Sequence, residues 1–244
     1  MRRTETLRIR YTLHTPVLLN HPWIHFDGLV AHLLLREHLG DKIYTLDTRR
    51  PSMELLESID IPIARVCTGN TCFYDASISM FDGRLPPWEA VYPAHVRKRF
   101  TERYAHTVAT ARAKLDVSRG PFKLFDIEYT YVPARTVEFI VRGDEQELTR
   151  IAARATVLGA KRGEGWGHVK GFTYEKLEQP RAYQMPDGTV TRPIPVQPFV
   201  DLAGTLEAYG HATVIVSTYA PPYWDRSRAA PCTVPGMRYV VVEK

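Results

Sequence analysis

From Thr6 to His14 the chain alternates strictly, with Leu7, Ile9, Tyr11 and Leu13 in one set and Arg8, Arg10, Thr12 and His14 in the other. A period of two predicts a half-buried strand whose second face presents Arg8 and Arg10. After the stretch from Pro16 to Pro22, Asp27-Gly28 precedes Leu29, Val30, Leu33, Leu34, Leu35 and Leu39, and Gly40 follows. That spacing predicts a helix with Asp27 as its N-cap and Gly40 as its stop. Residues 41–72 show no sustained period and read as loop with a short helix around Ser52–Ser58. Tyr74 to Phe81 predicts a strand ended by Asp82-Gly83.

Between Ala94 and Leu115, Val96, Phe100, Tyr104, Val108, Ala111 and Leu115 recur at spacings of four and three, which predicts an inserted helix. Phe122–Val132 and Arg135–Arg142 are β-rich runs separated by Pro133-Ala134, a hairpin or near-hairpin. Asp144 is expected to open a helix through Gly159, with Asp144-x-x-Glu147 as a capping-box-like start and Leu148, Ile151, Ala152, Ala155 and Leu158 as the buried stripe. His168 to Leu177 reads as a strand. Without the insertion the order is βαββαβ, so the expected fold class is α+β, ferredoxin-like and RRM-like, over residues 1–178, with the insertion at about 84–120. Prolines 180, 186, 193, 195 and 198 mark a boundary, and residues 179–244 are expected to form a mostly β extension with strands at Ala212–Thr218 and Met237–Glu243.

Charge adds a location. The net charge of the 244 residues is +5, yet residues 95–123 alone carry 8 basic and 2 acidic side chains, so this one segment holds the whole surplus. Arg97, Lys98, Arg99, Arg103, Arg112, Lys114 and Arg119 lie in it. A localised basic patch is the footprint of a polyanion binder, and the alternative is a solvated helix face. Arg8 and Arg10 meet the same pair of readings.

The second cationic feature is Leu158-Gly-Ala-Lys-Arg-Gly-Glu-Gly-Trp-Gly-His-Val-Lys-Gly171, where a helix hands over to a strand. Gly159, Gly163, Gly165 and Gly167 permit close approach to the main chain, Lys161, Arg162 and Lys170 suit an anion, and Trp166 suits a base. The order helix-loop-strand is the reverse of mononucleotide and dinucleotide loops, and neither of their glycine spacings occurs. A tight connection whose glycines only serve packing is the competing reading.

Candidate catalytic chemistry is sparse. His14, His21 and His25 lie near the end of the first strand and suit general acid-base work on a phosphodiester, but no matching carboxylate cluster accompanies His21-x-x-x-His25. No metal site and no cofactor are therefore expected. Three cysteines argue against a disulfide scaffold and for a reducing compartment; Cys67 and Cys72 lack a second pair for zinc and read as buried or free thiols. The segment Met1-Arg-Arg-Thr-Glu-Thr has no apolar h-region, and no run of about 20 apolar residues occurs, so a soluble, cytoplasmic protein without membrane contact is expected.

Two motifs carry a family resemblance: His21-Pro-Trp-Ile-His-Phe-Asp-Gly-Leu-Val-Ala-His-Leu-Leu-Leu-Arg-Glu37, and Leu158 through Gly171 with Phe172. Together, over roughly residues 5–178, they resemble the small RAMP (repeat-associated mysterious protein) subunit of type IV CRISPR effector complexes, the counterpart of the 5′-handle-capping RAMP of other multisubunit complexes. The resemblance implies a non-catalytic subunit that grips the 5′ handle of the guide RNA (crRNA) and caps the filament of backbone RAMP subunits. It also implies help to the large subunit at target double-stranded DNA, and a DinG-type helicase reached through the complex. By position, Gly159, Lys161, Arg162, Gly163, Gly165, Trp166, Gly167, His168 and Lys170 would lie against the RNA, and the basic insertion would match the family's variable insertion. RAMP folds also support endoribonucleases that mature the crRNA precursor, which would use His14, His21 or His25. A free-standing RRM-like regulator is the third reading, and it lacks the usual aromatic strand pattern.

Overall fold

The alternating N-terminal segment becomes a central strand because both of its edges find partners. The computed structural model describes residues 4–40, 55, 58–86, 88, 91–98, 124–203, 205–208 and 214–242. The chain runs β1 (Thr4–Leu13), β2 (Val17–Leu19), α1 (Phe26–Leu39), β3 (Arg65–Thr68), β4 (Thr71–Tyr74), β5 (Met80–Phe81), β6 (Tyr92–Lys98), β7 (Phe125–Val132), β8 (Thr136–Asp144), α2 (Glu145–Ala152) and β9 (Val169–Leu177). It continues through α3 (Val196–Ala203), β10 (Thr205–Ala208), β11 (Val214–Thr218), β12 (Ala229–Thr233) and β13 (Tyr239–Val242). The fold class is α+β, and every named strand pair is antiparallel.

The principal sheet has the order β5-β8-β1-β9. Leu7, Ile9 and Tyr11 sit opposite Val141, Phe139 and Val137, and all six are fully buried. Period-two alternation delivers them to one face, where α1 contributes Phe26, Val30 and Leu33 and α2 contributes Leu148, Ile151 and Ala152. The buried Tyr11 hydroxyl donates to the carbonyl of Ala152 at 3.0 Å, so the polar tip of that ring is satisfied inside the core. At the surface Arg150 and Arg154 bind Glu37 at 2.9 and 2.7 Å, joining the two helices.

Several expectations shift. The first helix starts at Phe26, with His25 as an N-cap that makes no side-chain cap, and Asp27 lies inside the first turn. Gly40 ends it as expected, at φ 53° with its amide on Arg36 O. Asp144 caps α2 by accepting from the Glu147 amide at 3.1 Å, but α2 stops at Ala152. Ala155 and Leu158 remain buried because the segment folds back on the core, where Val157 bridges His168. The runs around Pro133-Ala134 do not pair with each other: β7 joins β2 and β6 in a separate sheet of order β2-β7-β6, while β8 belongs to the principal sheet.

The expected helix from Ala94 is corrected at its start, since Tyr92–Lys98 is a strand in register with Phe125–Val132. A complementary strand supplies ladder hydrogen bonds that the 3.6-residue pattern cannot anticipate. The remainder of that expected helix, residues 99–115, lies outside the described residues, as do residues 41–54 and most of the short helix expected around Ser52–Ser58.

Residues beyond Gln179 pack across the second face of the principal sheet. Ala182 joins Met80 and Ile140 in a small core, and a further core holds Phe73, Tyr183, Val190, Ile194, Phe199 and Tyr239. The carboxylate of fully buried Asp75 is held by the amides of Ala182 and Tyr183 at 2.7 and 2.9 Å and by Arg142 at 2.6 Å. Cys67 and Cys72 face each other across the β3–β4 pair with Cα atoms 4.1 Å apart and form a disulfide, which corrects the expectation of buried or free thiols. Hairpin registry brings together two thiols that their spacing alone leaves open.

Candidate nucleic-acid interface

The glycine loop is built in two halves. The amides of Leu158, Ala160, Gly167 and Val169 donate to Gly167 O, Leu18 O, Pro16 O and Thr156 O, and His168 N donates to Thr15 Oγ1. Those groups tie the loop to the protein and are not offered to an anion. Gly167, at φ 68°, lies so close to Leu158 that an added Cβ would stand 1.9 Å from its carbonyl oxygen, so this glycine serves packing. The tip differs: Gly163 and Gly165 face open space. Arg162 to Glu164 form a single 3-10 turn that exposes this tip.

Beside the tip stands an aromatic ladder. The Trp166 ring lies 5.8 Å from that of Tyr131, which is stacked on Tyr92 at 5.4 Å and 27°. Alternation along β7 sends Ile127, Tyr129 and Tyr131 to one face. Tyr92 is 48% exposed and Ile127 is 42% exposed, so this face is open at its outer end. Lys161 Nζ reaches over Tyr129, 5.7 Å from its centroid, while bonded to Glu164 at 2.8 Å. Its pKa is raised, chiefly by that bond to Glu164.

Other expected contacts are placed differently. Arg8 binds Glu175 at 2.6 Å and Arg10 binds Glu138 at 2.9 Å, so both cations are paired across the sheet. Lys170 and His168 are exposed around the start of β9. The backbone of Arg97 and Lys98 belongs to β6; Arg99, Arg103, Arg112, Lys114 and Arg119 lie outside the described residues.

The Ile24-His-Phe-Asp-Gly-Leu motif forms a socket for the C-terminal part of the chain. The guanidinium of Arg192, wholly buried, meets Asp27 at 3.2 Å, the Tyr223 hydroxyl at 2.9 Å and the carbonyls of Tyr219 and Ala76 at 2.7 and 3.1 Å. The Tyr223 hydroxyl also donates to Asp27 at 2.7 Å. Burial alone would lower the Arg192 pKa, but the charge of Asp27 and the hydrogen bonds to Asp27 and Tyr223 outweigh it, and the guanidinium stays charged. Gly28 leaves room for Tyr223, since a Cβ there would stand 3.2 Å from its ring. His25 stacks on that ring at 3.6 Å and 11°.

A groove of about 930 Å³ opens above this socket, running from the stem of the glycine loop at Gly159 past the start of α1 to β11. His21, Trp23, His25, His32, Trp224 and Arg226 line it. Trp23 Nε1 donates to His25 Nε2 at 2.9 Å, so a neutral His25 carries its proton on Nδ1. Its pKa lies well below the ordinary histidine value, from burial first and then from the charges of Arg192 and His21. His21 and His25 line this groove and His14 does not. Among the described residues, no three His, Cys, Asp or Glu side chains group as metal ligands, and no helix is long and apolar enough to cross a membrane.

Sequence reading missed Tyr92, Tyr129 and Tyr131, although Tyr129-Thr-Tyr131 is a visible period-two signal. It also missed Arg192 and Tyr223, which lie 165 and 196 residues from Asp27 and carry no local signature.

Residues 5–235 match the family described as CRISPR type IV associated protein Csf3, nearly the whole chain. No curated protein matches it.

Proposed function

The chain belongs to the family of CRISPR type IV associated protein Csf3, and we propose that within the effector complex it is a non-catalytic RNA-binding subunit. It grips the 5′ handle of the crRNA, caps the filament of backbone RAMP subunits and assists the large subunit at target double-stranded DNA. The observation that carries this reading is the ladder of Tyr92, Tyr131 and Trp166 beside the open glycine tip. Every base has a π-face, so such a ladder takes a single strand without regard to sequence. Lys161, over the Tyr129 ring and bonded to Glu164, supports the reading as a cation beside the ladder.

The sheet order supports a ferredoxin-like RAMP core. Counting β1, β5, β8 and β9 as first to fourth, the sheet runs fourth, first, third, second, the pattern of two interleaved βαβ units. The pinning of His25 supports the non-catalytic role, because a general acid at Nε2 would first have to lose the Trp23 bond.

Binding of the purified protein to repeat-derived RNA, measured against salt, tests the reading. Tyr131→Ala and Trp166→Ala should each weaken binding by about tenfold, the loss of roughly one stacked base. Replacing Lys161 and Arg162 by Ala should make the salt slope shallower by about one to two. Unchanged affinity in both aromatic variants would remove the ladder from the RNA interface. In EDTA the repeat RNA should stay intact; site-specific cleavage abolished by His21→Ala or His14→Ala would instead establish the endoribonuclease reading.

A further inference from the structure

The groove between the start of α1 and β11 is lined by residues other than the rings of the ladder. Its volume of about 930 Å³ lies near the upper end of the range for small-ligand sites, roomy enough for one or two nucleotides. Its lining is selective. Two indoles and three imidazoles present flat rings, Arg226 presents a cation, and among the described residues no Asp or Glu lines it. Asp27 is buried beneath and held by Arg192 and Tyr223, and Asp225, between Trp224 and Arg226 in the chain, is engaged by Ser227, whose amide and hydroxyl donate to it at 3.0 and 2.8 Å.

The floor is fixed and the walls are rich in rings. His25 is held between Trp23 and Tyr223, so its ring is not free to swing across the opening. Helix α1 begins here with no side-chain cap at His25. Its first-turn amides are occupied, Phe26 N on Ser77 O, Gly28 N on Asp27 Oδ1 and Leu29 N on His25 O, so the cation offered to a phosphate is Arg226. A groove meant for an acidic peptide would use the cation but not the density of flat rings, and an aliphatic partner would leave the imidazoles without purpose.

Continuity with the loop gives direction. Gly159, at the loop stem, lines the groove, and Trp166, further along the same loop, stands on the ladder. One loop therefore borders both the groove and the ladder.

We infer that this groove seats one or two nucleotides of a single strand that leave the stack, with bases against Trp23, Trp224 and the imidazoles of His21 and His32 and a phosphate toward Arg226. The inference rests on the nucleic-acid-binding reading for the supply of a strand, but on different residues. The shared chemistry is that of a nucleotide, from the crRNA or from an opened target strand.

The test uses the full-length protein with matched short single strands of RNA carrying 4-thiouridine and of DNA carrying 4-thiothymidine. Crosslinks are mapped by mass spectrometry in the unaltered protein, in Arg226→Glu and in Trp166→Ala. Crosslinks to residues 20–25 or 215–226 that persist in Trp166→Ala and fall about tenfold in Arg226→Glu are expected. The arm that gives them, RNA or DNA, identifies the source. Crosslinks confined to the ladder and glycine tip would overturn the groove and leave the RNA-binding reading intact. No crosslink in either arm would overturn both. Val216, 80% exposed at the rim, supplies a second check: if the assembled complex crosslinks another protein subunit into the groove and no nucleic acid, the inference is overturned. Trp224→Ala provides an independent variant should Arg226→Glu fold poorly, with the same loss expected.

Discussion

Removing the carboxylate of Asp27 should be among the most damaging single changes in this chain. Asp27→Ala leaves the Arg192 guanidinium buried without its counter-charge, 3.2 Å from where the carboxylate stood, and leaves the Tyr223 hydroxyl without its acceptor at 2.7 Å. Loss of one partner of a buried pair costs about 3–5 kcal/mol. The unsatisfied hydroxyl adds roughly 1–3 kcal/mol, partly regained through the remaining carbonyls around Arg192. A net loss of about 4 kcal/mol compares with the 5–15 kcal/mol that holds an ordinary domain. Arg192→Met should cost a similar amount, because it strands Asp27 in the same place. The double variant removes both charges, so it should recover about 2 kcal/mol or more of the summed losses. Urea unfolding of the four proteins measures this coupling. It should persist when the salt is raised from about 0.1 to about 0.5 M, since the pair is shut away from mobile ions. Additivity within about 0.5 kcal/mol would refute the clamp. If the single variants are insoluble while the double variant folds, the same conclusion is reached by a cruder route.

Histidine 25 should make stability fall on acidification. Its folded pKa lies below the unfolded value of about 6.5, so the unfolded chain takes up the proton first; the contribution is complete above that pH and is lost as pH falls below it, at up to about 1.4 kcal/mol per unit. His25→Phe should flatten this slope in pH-dependent urea titrations, and an unaltered slope would assign it to another group. Thiol counting separates the cysteines: burial pushes the Cys232 thiol up to about 12, so native protein at pH 8 should not react, and unfolding without reductant should release one thiol and not three. Gly167→Ala should cost about 2 kcal/mol or more, from the positive φ and the clash with Leu158 O, with Gly163→Ala near neutral as the control, both read by thermal unfolding.

Sequence periodicity determined the parts of this protein whose information is local. Thr6–His14 could be read as a strand because burial of one face imposes a period of two, and Asp144-x-x-Glu147 because a cap needs only neighbours. The two motifs were legible too, as were the stripe positions through Leu158. What they do was not. The Asp27-Gly28 pair reads as a helix start, yet the helix begins earlier, and the pair receives Arg192 and Tyr223 from the far end of the chain. Ala94–Lys98 satisfies a helical spacing, yet β7 offers it a ladder, and pairing partners distant in sequence leave no trace in a local window. The glycine loop is similar: glycine content announced a special backbone, but only the fold assigned Gly167 to packing and left Gly163 and Gly165 open. The aromatic ladder and the histidine-lined groove belong wholly to tertiary structure, because each joins side chains from segments whose approach is set by sheet order and by burial of a charged pair.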